Sequence, residues 1–166
     1  MTRCHAVKAQ QNAGPFVANL NAPPVAPLLD PNHNPSPSDI VGNGECVSAC
    51  KKFAGLEGTS TSQWRAGEPV VIDGKINPNI KPGTAIATFD SNGRYPGQDD
   101  PHKNSGIFLG AGVMGGPGSA RILDQWPAYA SNPAHPPQPR DMRYYADPTH
   151  DVSNNSHAYY VIMLAR

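Results

Sequence analysis

Apolar positions along this chain fall into short runs rather than long stripes. Four segments, Thr84–Phe89, Ser105–Gly110, Ala120–Trp126 and Ala158–Leu164, are rich in Ile, Val, Phe and Tyr and are bounded by Gly, Pro, Asn and Asp. That pattern predicts strands, here four strands of one antiparallel sheet. The breaks between them are explicit: Asp90-Ser91-Asn92-Gly93, the glycine-rich Gly112–Gly118, and a proline-rich loop from Pro127 to Pro139. One stretch carries the helical period instead. Val47, Cys50, Phe53 and Ala54 share a face and Gly55 is a natural stop, which predicts a helix of roughly two to three turns opening at or just after Cys46. The longest apolar run, Ala158–Ala165, is far below the ~18 residues of a membrane span. No internal repeat is present.

Ahead of these elements, seven prolines lie between Pro15 and Pro37, a composition that favours extended chain. Residues 1–38 are read as an arm or linker, or alternatively as a strand-free segment wrapped over the domain through Phe16, Val17, Leu20, Leu28 and Leu29. Residues 39–166 then form the domain, with ordered structure expected from near Ser38. Met1–Leu20 is interrupted by Gln10, Gln11, Asn12 and Gly14 and has no apolar core of a secretory leader, so export would use another route. In 166 residues, 13 Lys and Arg balance 13 Asp and Glu. Nucleic-acid and anionic-membrane binding depend on surplus cations, so neither is expected as a partner. The 19 Pro and 16 Gly, about a fifth of the chain, limit long helix and agree with short strands joined by turns.

Three cysteines without CxxC spacing argue against a disulfide scaffold and against structural zinc. Cys4 lies in the arm, and Cys50 shares the apolar stripe of the predicted helix. Cys46 stands at the N-terminal end of that helix, where free N–H groups and the macrodipole favour a thiolate. It is the candidate nucleophile, the alternative being another small buried side chain. A thiolate that opens an amide needs a base, usually His held by a third polar group. Of six histidines, His5 and His33 lie in the arm, and His135 and His150 lie in Pro- and Asp-rich loops. His157 abuts the last strand. His102, just before the second strand, is the best placed. Asp124 interrupts an apolar run, and a buried carboxylate requires a His or several N–H partners; pairing with Arg121 is the structural alternative. Gln63, Trp64 and Trp126 are candidates to line a cleft, although packing is the preferred reading of Trp64.

Several short motifs keep a common order: Gly44-Glu45-Cys46-Val47, Thr61–Gly67, Gly83–Phe89, Gly93-Arg94-Tyr95-Pro96, Ser105–Gly110 and Leu123-Asp124-Gln125-Trp126. Over about residues 40–164 the chain resembles small bacterial cysteine hydrolases, the NlpC-type and CHAP-type amidases, many of them type VI secretion toxins. The resemblance implies an α+β, papain-like fold, with a catalytic helix packed on a small antiparallel sheet behind the proline-rich arm. It also implies a Cys–His–polar site, with Cys46 and Asp124 in the first and third positions. The base slot, directly before Ser-Gly-Ile-Phe-Leu-Gly, holds Asn104. Asn cannot accept a thiol proton at neutral pH. Three explanations stand. His102, on the same strand face by period-two alternation, supplies the imidazole, which is the preferred one; or the chain is an inactivated variant; or the lineage has lost catalysis.

The expected reaction is attack of Cys46 on an amide carbonyl, with His102 as base and Asp124 orienting it, and no cofactor or metal. The expected substrate is the peptidoglycan stem peptide in a target bacterium. A cytoplasmic target protein, or binding without turnover, are the alternatives. A producer would need a cognate immunity protein as partner.

Overall fold

The computed structural model describes residues 12–97 and 100–166. Cys4 and His5 lie outside the described residues. Among the described residues two α-helices, α1 (Ala26–Leu29) and α2 (Cys46–Ala54), accompany eight strands. These are β1 (Trp64–Pro69), β2 (Val71–Ile72), β3 (Lys75–Ile76), β4 (Ala85–Thr88), β5 (Ser105–Ala111), β6 (Ala120–Trp126), β7 (His135–Met142) and β8 (Tyr159–Leu164). Six strands form one sheet in the order β1-β8-β4-β5-β6-β7, antiparallel throughout, and β2 and β3 make a separate hairpin. The fold is α+β, as the strand and helix patterns predict.

Period-two alternation divides the sheet residues between two buried layers. Ala85, Ala87, Ile107, Leu123 and Ile162 join Ala49, Cys50 and Phe53 of α2 and the fully buried Trp64 on one face. Ile86, Phe108, Ile122, Val161 and Tyr159 face the other way, against Val70 and Val71. The helix stops where its sequence says it should, because Gly55 turns left-handed at φ 73°. Gly106 of β5 lies tightly against β6. A Cβ there would stand 2.6 Å from the Leu123 carbonyl oxygen and 2.8 Å from Ile122. Gly106→Ala is therefore expected to destabilise the fold by about 1–3 kcal/mol, measured as a drop in the urea midpoint with unchanged slope.

The N-terminal segment is packed onto the domain from at least Ala13 onward. Ala13 and Leu164 exchange backbone hydrogen bonds of 2.9 and 2.8 Å, and Ala85 N–H donates to the Phe16 carbonyl at 2.8 Å. Val25 and Leu28 are buried. Hydrogen-bonded and buried residues thus occur before Ser38, the expected start of ordered structure.

Four strands fall outside the sequence expectation: the short β2 and β3 of the separate hairpin, and the two edges of the six-stranded sheet, β1 and β7. β1 contains Gly67 and Pro69 and its register slips between Ala66 and Pro69. β7 runs through Pro136, Pro137 and Pro139, inside what reads as a proline-rich loop. An edge strand has one unpaired side, so it tolerates residues without an N–H that a central strand would not.

Candidate active site

The chain enters α2 through a fixed loop. Gln125 of β6, fully buried, donates from Nε2 to the carbonyls of Val41 and Glu45 at 2.8 Å each, and its Oε1 accepts from Val41 N–H at 2.9 Å. Asn43 Oδ1 accepts from Glu45 N–H at 3.0 Å and from the Ser48 hydroxyl at 2.7 Å. These bonds set Cys46 as the first residue of α2. It is 6% exposed and lines a cavity of about 650 Å³ with Glu45, Ser60, Thr61, Tyr95 and Lys103. Among the described residues its sulfur has one hydrogen-bond contact, with the Tyr95 hydroxyl at 3.7 Å. Cys50, one turn on, is fully buried, and burial pushes its thiol up. Neither of these cysteines is in a disulfide.

Behind Lys103 lies a second polar assembly. Asn104, at the foot of β5, is 5% exposed. Its Nδ2 donates to Asp124 Oδ2 at 2.8 Å and to the Tyr159 hydroxyl at 2.7 Å. Tyr159 donates in turn to the Ser153 carbonyl at 2.7 Å. Arg140 of β7 clamps the fully buried Asp124, from Nε at 3.1 Å to both oxygens and from Nη2 at 2.9 Å. Burial alone would push the Asp124 carboxyl up, but His135, Arg140 and Asn104 outweigh it and hold it below the usual carboxylate range. His135 Nε2 stands 3.5 Å from Asp124 Oδ1 and makes no hydrogen bond. Its ring lies flat on Trp126, with centroids 3.6 Å apart and 5° between planes. A cavity of about 610 Å³ opens here, lined by Asn104, Trp126, His135, Arg140 and, as in the first cavity, Lys103.

The structure brings together only part of the set named from sequence. Asp124 and Asn104 are bonded to each other. No hydrogen bond among the described residues joins Cys46 to Asn104 or to Asp124. His102 is not brought to the site: β5 starts at Ser105, so strand alternation does not reach back to it. It is exposed in a turn, with its backbone N–H donating to Asp100 Oδ1 at 2.8 Å. The alternative pairing of Asp124 with Arg121 is also not found, because Arg121 pairs with Asp141 at 2.9 Å. Gln63 is exposed and its side chain caps the Ser60 backbone N–H at 3.2 Å. Trp64 is core, packed edge-on against Tyr95. Trp126 does line the second cavity. His135, Arg140 and Tyr95 were not among the candidates. Only the gathering of β7 onto β6 reveals the first two. The Gly93-Arg94-Tyr95-Pro96 motif was the one available pointer to the third. Among the described residues no three His, Cys, Asp or Glu side chains are grouped to hold a metal, and no helix is long and apolar enough to cross a membrane.

Comparison with known proteins adds two matches. The model of the family Dae2, domesticated amidase effector 2, matches residues 31–162. The solved structure of a type 6 secretion amidase effector 2 (Tae2) is similar with a TM-score of 0.61 and 29% sequence identity, covering 90% of this chain and 95% of that one. No curated protein matches the chain.

Proposed function

Because the chain belongs to the domesticated amidase effector 2 family, we propose that it is an antibacterial amidase acting on peptidoglycan stem peptides, with Cys46 as its nucleophile. The observation that carries this reading is the placement of Cys46 at the first position of α2, opening on a polar cavity. A thiolate there attacks the amide carbonyl carbon, and the oxyanion that forms lies against the free N–H groups of the helix terminus. The carbonyl collapses to a thioester as the C–N bond breaks, and water then releases the acid. The papain-like description rests on the same feature, a cysteine at the head of a helix that packs on an antiparallel sheet. The type VI relative supports delivery into a target bacterium, and a producing cell would then need an immunity protein to close the cleft.

Proton transfer is the weak step. Asn104, which cannot relay a proton at neutral pH, stands in the slot that the cysteine-hydrolase resemblance gives to the base. The parent chain is accordingly expected to cleave slowly. A second reading, a module that binds the peptide without turnover, is favoured by that same residue. Incubating purified sacculi with the protein and profiling the released muropeptides by mass spectrometry separates the two. The amidase reading expects new stem-peptide fragments from the parent and background levels from Cys46→Ala. Identical fragments and rates from the two proteins would remove Cys46 from the reaction.

A further inference from the structure

Tyr95 is held from several sides. Trp64 packs edge-on against its ring at a centroid distance of 5.1 Å and Phe89 does so at 6.4 Å. The turn before it is closed by Asp90, whose Oδ1 accepts from the backbone N–H of Asn92 at 2.8 Å and of Arg94 at 3.0 Å. Arg94 bridges to Arg65 of β1. This framing leaves the hydroxyl 3.7 Å from Cys46 Sγ. Burial, reinforced by the charge of Cys46, pushes the phenol up, which favours its protonated form as the donor.

From this geometry we infer that Tyr95 is a positioning residue for the nucleophile, donating its O–H to the Cys46 sulfur and favouring the thiolate. A neutral thiol can share that contact in either direction, whereas a thiolate can only accept. The contact therefore strengthens on ionisation, as charge-assisted bonds do. Among the described residues no imidazole is hydrogen-bonded to the sulfur, so this bond is a second means, beside the helix terminus, of keeping the anion ready. The inference rests on Cys46 being the nucleophile, as proposed above, but its test does not require turnover.

The test is the pH profile of iodoacetamide alkylation at Cys46, read site by site by mass spectrometry on the folded full chain. Alkylation forms an S–C bond and expels iodide, and it reports the thiolate fraction directly. Tyr95→Phe keeps the ring and removes the donor. It is expected to move the profile up by about one pH unit, a drop of about tenfold in rate at pH 7. Superimposed profiles from the parent and Tyr95→Phe would overturn the inference. Cys50 serves as an internal control, since its alkylation marks an opened core. Should Tyr95→Phe open the core, 3,5-difluorotyrosine at position 95 replaces it. That residue keeps the shape and makes a stronger donor, so the profile is expected to move down; no movement, or movement upward, overturns the inference. A profile shift combined with undigested sacculi would sink the amidase reading and leave this one standing, and the reverse result would do the opposite.

Discussion

Asn104→His is expected to raise the rate of stem-peptide release from sacculi by about a hundredfold or more over the parent chain. Asn104 is buried at the foot of β5 with its amide on Asp124 Oδ2 at 2.8 Å. An imidazole in that place can donate Nδ1–H to the same oxygen, which fixes its tautomer and leaves Nε2 free to take a proton. Asp124 is fully buried and held as a carboxylate, so it is ready to orient the ring and to stabilise its charged form. A positioned general base is worth roughly 10²–10⁴ in rate, and the same group would return the proton to the leaving amine. The gain must vanish in the double variant Cys46→Ala/Asn104→His if the new base acts on that sulfur. A folded Asn104→His protein that releases fragments no faster than the parent would exclude position 104 as the base slot. In a bacterium whose periplasm receives each protein, lysis should follow the same ranking.

What could be read from sequence and what could not divide along physical lines. The helix at Cys46–Ala54 was legible because its apolar period and its glycine stop are both local properties, and β4, β5, β6 and β8 were legible because buried central strands carry dense branched and aromatic residues. Edge strands lack that density. β1 contains Trp-Arg-Ala-Gly-Glu-Pro and β7 contains His-Pro-Pro-Gln-Pro-Arg-Asp-Met, and nothing local in either distinguishes a strand from a loop. Losing β7 also hid half of the Asp124 environment, because Arg140 and His135 reach that carboxylate only across the β6–β7 register, where Asp124 faces Gln138. The requirement that Asp124 have partners was readable from its apolar surroundings, while their identity depended on a long-range pairing. His102 illustrates the opposite limit. Period-two reasoning is sound only inside a strand, and β5 begins three residues too late for it.

The Asp124–Arg140 pair also makes a large prediction about stability, separate from any chemistry. Asp124 is fully buried and the Arg140 side chain is 16% exposed, with its guanidinium also bonded to Asn154 Oδ1 at 2.7 Å and the Ser153 carbonyl at 3.0 Å. Removing one member of such a pair strands the other charge in a poorly hydrated place, which costs about 3–5 kcal/mol. Asp124→Ala is therefore expected to lower the Tm by on the order of 10 °C in a chain of this size. Replacing both partners by apolar residues, as in Asp124→Leu/Arg140→Met, should recover much of the loss, because neither charge is then left alone. The acid response follows from the same residue. The folded carboxyl is held below its unfolded value of about 3.9, so the folded state binds its proton later than the unfolded one as pH falls. Its contribution is complete above about pH 4 and is lost as pH drops through the lower folded value. Below that range the parent should lose its advantage over Asp124→Ala, and the two urea midpoints should converge. A Tm for Asp124→Ala within 2 °C of the parent at pH 7 would mean that Asn154, Ser153 and solvent satisfy Arg140 unaided. The carboxylate would then be held in place for the site rather than for the fold.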